Sequence, residues 1–420
     1  MINKIVIFAW LINRNYRNMK LINRPLYTNR IRPFIGKNII KVLTGQRRVG
    51  KSCILRQIQN DIHKDYPQAN ILYINMEYEE FRNIRNDADL FEYLRDKLPE
   101  GADNFLFIDE VQDIVGFEHV LRSLQAKDNC DIYITGSNAK MLSGELSTYL
   151  SGRYVEFHIH SLNYREFLEF HQLEDSNRSL MLYLTYGGLP YLSHLQLTDE
   201  LAFEYLRNIY STILLKDVVK REGIRNVNFL ETLALYTADN VGSLFSANNI
   251  SKYLKSQRVD ISTPQVINYL KALSAAYLVN KVGRMDVSGL RKFEIGDKYF
   301  FEDLGLRNCN LGFNLQRDIQ KLMENAVYLH LSSLQYEVYV GDNAQKEIDF
   351  VGLKQGKRIY VQVTYLMVDE KTHEREFGNL MNIPDNYPKY VVSLDEFNRG
   401  SDVQGIQHLH LADFLMRKTL

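Results

Sequence analysis

Eight consecutive residues, Gly45-Gln46-Arg47-Arg48-Val49-Gly50-Lys51-Ser52, carry the spacing G-x-x-x-x-G-K-[ST]. This pattern suits phosphate chemistry. Two glycines let the backbone come close to an anion. Successive N–H groups at Gly45, Val49, Gly50, Lys51, Ser52 and Cys53 then present partial positive charge to it at the start of a helix. Lys51 is expected to reach the β- and γ-phosphates, and the Ser52 hydroxyl to ligate Mg²⁺. A Gly-rich surface turn is the alternative. The flanks argue against it, because Ile39-Ile40-Lys41-Val42-Leu43 has the look of a buried strand and Ile54, Leu55 and Ile58 share one helical face.

A second chemical stretch is Asn104 to Glu110, an apolar run ending in Asp109 and Glu110. In a parallel sheet such a strand delivers its last side chains into the ligand crevice. Asp109 is expected to hold Mg²⁺ through water, and Glu110 to polarise the attacking water. Alone this is the pattern of any strand end; its place after the phosphate loop gives it meaning. The next strand, Cys130 to Thr135, ends in Gly136-Ser137-Asn138. Ser137, with Asn138 as the alternate, is placed to meet the γ-phosphate or the nucleophilic water, and capping a helix over Ala139 to Leu142 is the competing role. Arg153, in Ser151-Gly152-Arg153-Tyr154, is a candidate for contacting a γ-phosphate across a subunit boundary in a homo-oligomer, against the plainer role of a surface ion pair.

These residues need a scaffold of strands and helices. The 420 residues exceed one core, so several domains are expected. With 45% hydrophobic and 24% charged residues and zero formal net charge, the chain has an ordinary globular composition without a global basic field. Cys53, Cys130 and Cys309 form no C-x-x-C pair, which disfavours a zinc site or disulfide framework and fits a reducing, cytoplasmic setting. No apolar run reaches the length of a membrane span. Residues 1–18 read as a dispensable extension. Residues 19–160 form the nucleotide-binding core, in which prolines at 25 and 33 are expected to keep the segment 20–38 extended.

From Ser161 the pattern turns helical, and residues 161–238 read as a lid broken at Gly187-Gly188-Leu189-Pro190. Residues 239–311 suggest a winged helix: amphipathic helices over Ala247 to Leu254 and Thr263 to Ala272, then strands at Tyr277 to Gly283 and Phe293 to Tyr299. Across 240–295 eight basic residues stand against three acidic ones, a balance that permits duplex DNA as a partner. Residues 312–420 place Glu324 on a helix, Asp349 on a strand and Gln362-Val363-Thr364 on the next. That is the order of a metal-dependent nuclease, but with an amide for a carboxylate and a hydroxyl for the usual ammonium.

The stretches KVLTGQRRVGKS, LFIDEVQDI, ITGSNAKML, SGRYVEFHIHSLNYREF, YGGLPYL, LLKDVV, EIDFVG and DNYPKYVVSLDE together resemble a prokaryotic family of P-loop ATPases with an AAA+-type core and a C-terminal domain of endonuclease-like fold. The expected fold class is α/β: a P-loop parallel sheet with a helical lid, a winged helix and that C-terminal α/β domain. The resemblance implies ATP as the nucleotide and the stated roles for Lys51, Ser52, Asp109 and Glu110. An ATP-switched DNA-binding or regulatory module with negligible turnover is the rival function. A metal-dependent nuclease is the third, disfavoured by Gln362 and Thr364.

Overall fold

A computed structural model describes residues 22–139, 150–256, 261–287, 292, 296–312, 314–343, 346–367, 370–396 and 399–420. The expected extension 1–18, most of the helix proposed after Ala139, and the start of the strand proposed at Phe293 lie outside these residues.

Strands β1 (Ile40–Thr44), β2 (Asn70–Asn75), β3 (Asn104–Asp109), β4 (Asp131–Gly136) and β5 (Tyr154–His158) form one sheet in the order β2-β3-β4-β1-β5. All four pairings are parallel. The three central strands β3, β4 and β1 are buried at every position. They are therefore mostly apolar, as strands covered on both faces are, with buried polar residues such as Lys41 and Asp131 paired to each other. Parallel register gathers Thr44, Asn75, Asp109, Gly136 and His158 at one edge. The loop after β1 runs along that edge into the helix Lys51–Asp65. At Gly45, φ is 141° and a Cβ would lie 2.2 Å from the Ile159 carbonyl oxygen, so only glycine fits there.

The segment before β1 departs from expectation. Pro25–Ile31 is a helix and Arg32–Phe34 a 3₁₀ turn. Pro25 opens the helix at a first-turn position, where its missing N–H has no intrahelical partner to lose and its φ is already helical. This places Arg24 under the phosphate loop. Its guanidinium donates to the Val49 carbonyl (2.9 Å), to the His160 carbonyl (3.2 Å) and to both carboxylate oxygens of Glu166 (2.9 and 2.8 Å), while its own N–H donates to Gln57 Oε1 (3.2 Å). Arg24 is 3% exposed. One buried cation thus ties the loop, the exit of β5 and the helix Tyr164–His171 together.

A helical layer follows: Asn177–Tyr186, Asp199–Thr212, an eight-residue π-helix at Ile213–Lys220, and Val227–Asp239. At the break between the first two, a Cβ on Gly188 would sit 2.2 Å from the Leu162 carbonyl oxygen. The Gly188 N–H donates to Asp303 (2.7 Å). Burial pushes the Asp303 carboxyl up to about 6, against the backbone N–H donors of Gly188, Leu306 and Gly305. The helices Ala247–Ser256 and Thr263–Ala275 come next, then an antiparallel pair of β6 (Val279–Val282) and β8 (Lys298–Phe301).

Between them β7 (Arg284–Asp286) joins a seven-stranded mixed sheet that otherwise belongs to the C-terminal part. The remaining strands are β9 (Glu337–Asn343), β10 (Lys346–Lys354), β11 (Lys357–Val363), β12 (Lys389–Ser393), β13 (Asp402–Val403) and β14 (Ile406–His410), in the order β13-β14-β12-β11-β10-β9-β7. The helix Leu315–Ser333 packs on this sheet. No described helix is long and apolar enough to cross a membrane.

Replacing Arg24 with Ala leaves Glu166 a buried carboxylate without its cation. The substitution is expected to destabilise the chain by about 3–5 kcal/mol, the range for breaking a buried ion pair. The urea midpoint of Arg24→Ala against wild type measures it, and an unchanged midpoint contradicts the role.

Candidate nucleotide site

The loop residues Gly45, Val49, Gly50, Lys51, Ser52 and Cys53 are contiguous at the strand edge and the first helical turn. Lys51 is 4% exposed and donates to the carbonyls of Gly45 (2.9 Å) and Gln46 (3.0 Å). Its ammonium stands 3.8 Å from Glu110 Oε1. Burial draws the Lys51 pKa below its ordinary value, while Glu110 and Asp109 oppose that shift.

Asp109 and Glu110 end β3 with different surroundings. Asp109, 1% exposed, accepts from Thr135 Oγ1 (2.5 Å), Tyr73 OH (2.9 Å) and Asn75 Nδ2 (3.3 Å). Burial first, then the neighbouring Asp109 carboxylate, raises the Tyr73 phenol, so it stays a neutral donor. Glu110 takes a left-handed backbone, with φ 57° and ψ 48°, and its N–H donates to Thr135 Oγ1 (2.9 Å). That turn swings its carboxylate toward Lys51. Burial by itself would raise Glu110, but the Lys51 charge and hydrogen bonds from Gln112 (2.6 Å) and Ser137 (3.0 Å) hold it below the usual carboxylate range. Glu110 is therefore ionised and able to accept a proton.

Ser137 is brought to the site through Glu110, and Asn138 is buried beside it. Arg153 is not brought there. It is exposed and precedes Tyr154, which pairs with Ile40 at the start of β1. About 16 Å of strand separates that edge from the loop.

Two further residues, Asp217 and Arg221, reach the site from outside the motifs. Arg47, inside the loop, is clasped by Asp217 (2.8 and 2.9 Å) and lies 3.4 Å from Glu77. Hydrogen bonding to Asp217 keeps Arg47 firmly charged. Asp217 is 1% exposed on the π-helix, a rare geometry that recurs at functional positions. One turn on, Arg221 is within 3.4 Å of Ser137 Oγ, of Asp113 and of Asp217. The available sequence signal was the acid-base pair Asp217 and Arg221, four apart on a helix that also carries Lys216 and Lys220.

The loop also touches the segment beyond the helical layer. Gln46 Nε2 donates to the Tyr277 carbonyl (2.7 Å), and the Ala139 N–H donates to the Ala275 carbonyl (2.9 Å).

In the C-terminal part, Glu324, Asp349 and Gln362 converge, and a cation that the motif order lacks comes from elsewhere. Lys298 of β8, 3% exposed, contacts Glu347 Oε1 (2.7 Å) and Glu324 Oε2 (4.0 Å). Asp349 accepts from the Val363 N–H (2.8 Å), and its own N–H donates to Gln362 Oε1 (3.3 Å). Burial, then Glu324, pushes Asp349 well up, and Lys298 opposes this. Burial also raises Glu324, again opposed by Lys298.

Parallel sheet, phosphate loop and carboxylate-ended β3 define a nucleotide-binding P-loop chain of the AAA type. Residues 37–168 match the family described as AAA domain, which makes ATP the nucleotide implied, and residues 177–317 match a domain of unknown function, DUF8612. The chain belongs to the same family as an uncharacterized protein of Haemophilus influenzae, with 34% identity over 94% of this chain and 99% of that protein. It is also similar to uncharacterized protein MJ1544 of Methanocaldococcus jannaschii, at 30% identity over 90% of this chain and 85% of that one. Among solved structures there is a loose likeness to the Aeropyrum pernix Orc1 protein in complex with DNA, with a TM-score of 0.31 and 13% identity over 67% of this chain and 90% of that chain.

Lys298→Met should show the ammonium's role through pH. Without it, the folded-state pKa values of Glu324 and Asp349 rise further above their unfolded values. A raised carboxyl contributes stability below the unfolded pKa and loses it as pH rises through the folded one. The variant's destabilisation relative to wild type should therefore be larger at pH 8 than at pH 4, by about 1–3 kcal/mol. Urea titrations at both pH values measure this, and equal destabilisation contradicts it.

Proposed function

We propose that the chain is an AAA+-type ATPase that hydrolyses ATP and passes its nucleotide state to a winged-helix and C-terminal module. The observation that carries this is the linked set Lys51, Glu110, Ser137 and Arg221, with Asp109 beside it. Lys51 meets the β- and γ-phosphates. Glu110, ionised and anchored through Ser137, orients water and takes its proton. Arg221, in place in the same chain, is a second cation for charge on the transferred phosphoryl.

The donor set at the strand ends suits Mg²⁺, since the Asp109 carboxylate and Ser52 hydroxyl are hard oxygen ligands of the kind it prefers. Bound there, the ion would neutralise charge on the phosphates.

Coupling is supported by two hydrogen bonds, Gln46 to Tyr277 and Ala139 to Ala275. They join the phosphate loop and the tip of β4 to the end of the helix Thr263–Ala275. In this proposal residues 161–238 act as the lid that carries Asp217 and Arg221, residues 239–311 as the winged helix, and 312–420 as the endonuclease-like domain. Duplex DNA is the partner suggested by the basic balance of 240–295. Arg153, on the far edge, serves a homo-oligomer only through a neighbouring subunit.

Steady-state phosphate release, with and without duplex DNA, tests the proposal. Lys51→Ala should lose nucleotide binding. Glu110→Gln should keep Mg²⁺-ATP binding and slow turnover about 10²-fold or more, the usual contribution of a general base. Wild-type turnover in either variant contradicts the assignment. Binding without turnover in wild type, with or without DNA, would favour the switch function instead.

A further inference from the structure

His158, His160 and Glu302 bring three potential ligand atoms within 4.8 Å of one another, outside the nucleotide site and unused by it. His158 is the last residue of β5. His160 lies two residues on, so both side chains leave the same side of an extended backbone. Glu302 follows β8, from the hairpin beyond the helical layer. The cluster therefore joins the nucleotide-binding sheet to that hairpin, beside the loop-bearing end of β1.

Glu302 is completely buried. Its Oε2 accepts from Asn280 Nδ2 (2.5 Å), and its Oε1 lies 2.6 Å from His160 Nδ1 and 3.4 Å from His158 Nε2. Among the described residues its ion-pair partners are these two imidazoles alone. A buried carboxylate without a cation is costly, and a buried charge is normally paired or bound to metal.

The orientation of His158 sharpens the point. Thr44 Oγ1 donates its proton to Glu156 Oε1 (2.6 Å), and His158 Nδ1 lies 3.1 Å from the same oxygen. With the hydroxyl proton committed to Glu156, one tautomer of His158 has Nδ1–H donating to Thr44, and the other has Nε2–H facing Glu302; the first is the metal-binding form. That tautomer turns the lone pair of Nε2 toward Glu302 Oε1, so two acceptors face each other with a gap of 3.4 Å. Only a proton or a metal ion between them resolves the repulsion. An outer hydrogen bond that fixes the tautomer is also how metal-bound histidines are commonly held.

We propose that His158 Nε2, His160 Nδ1 and Glu302 bind a divalent transition-metal ion, with Zn²⁺ the best match, which fastens the nucleotide-binding sheet to the β6–β8 hairpin. Two imidazoles and one carboxylate suit Zn²⁺ and disfavour Mg²⁺ or Ca²⁺. Bonds of about 2.1 Å in a tetrahedral site put ligand atoms about 3.4 Å apart. The His158–Glu302 separation already matches, whereas His160 Nδ1, hydrogen-bonded to Glu302 Oε1 at 2.6 Å, has to give up that bond and open outward by about 0.8 Å. His158 retains 25% side-chain exposure, leaving a side open for a water as fourth ligand.

The test uses the full chain, stripped with EDTA, dialysed and kept free of nucleotide. Titration with Co²⁺ should give a visible d–d band of tetrahedral intensity that saturates at one ion per chain and is displaced by Zn²⁺ but not by Mg²⁺. Excess Zn²⁺ should raise Tm by about 3 °C or more. His158→Ala, at the most exposed of the three positions, should lose the band and the Tm shift while keeping the wild-type circular dichroism spectrum. Lys51→Ala should retain both, which separates this site from the phosphate loop. A chain that gives no band, or a band that persists in His158→Ala, overturns the site and leaves a proton shared by His158 and Glu302 as the bridge.

Discussion

The buried guanidinium of Arg24 is the constraint on which the site depends. A phosphate loop must hold its N–H groups pointed at an anion while its carbonyls point elsewhere, and those carbonyls need partners. Arg24 supplies one for Val49 and another for His160, and Glu166 balances its charge without solvent. The other contacts build outward from this. Gly45 can press against Ile159 because the exit of β5 is held in place, and Lys51 can lie across the loop because the loop does not move beneath it.

Around that fixed floor, the walls come from distant parts of the chain. Asp217 grips Arg47 from one side, Arg221 reaches Ser137 above it, and Tyr277 accepts from Gln46 on another side. The first two walls share the π-helix and its C-terminal cap, the third follows the helix Thr263–Ala275, and each contact is a hydrogen bond or ion pair to a residue of the loop or of the tip of β4. The π-helix and the segment just after the helix Thr263–Ala275 therefore each contact the loop directly, without any long relay. The buried ammonium of Lys298 plays a comparable joining role between β8 and the carboxylates of the C-terminal sheet.

Residues close in sequence were legible from sequence. The loop, the carboxylates ending β3 and the polar tip of β4 are each local patterns, and parallel pairing alone brings them to one edge. Residues that reach the site across long separations were not. Asp217 lies 170 residues from Arg47, and nothing local marks it as a partner. Motif order places the C-terminal cation at Thr364, whereas Lys298 comes from β8, which precedes the helix Leu315–Ser333. Pro25 suggests a helix break by its residue type alone, whereas its first-turn position makes it a helix starter. The strand Arg284–Asp286 joins the C-terminal sheet because register with β9, invisible in three residues, decides its place.

On the proposed function, ATP at the loop is felt at the segment around Ala275 and Tyr277. Amide hydrogen exchange with and without Mg²⁺-ATP measures this directly, with the Ala139 N–H, bonded to the Ala275 carbonyl, as reporter. Protection at Ala139 and across 275–278 should change on adding nucleotide to the wild-type chain and stay the same in Lys51→Ala. Nucleotide bound at the loop with exchange at those amides unaltered would contradict the claim.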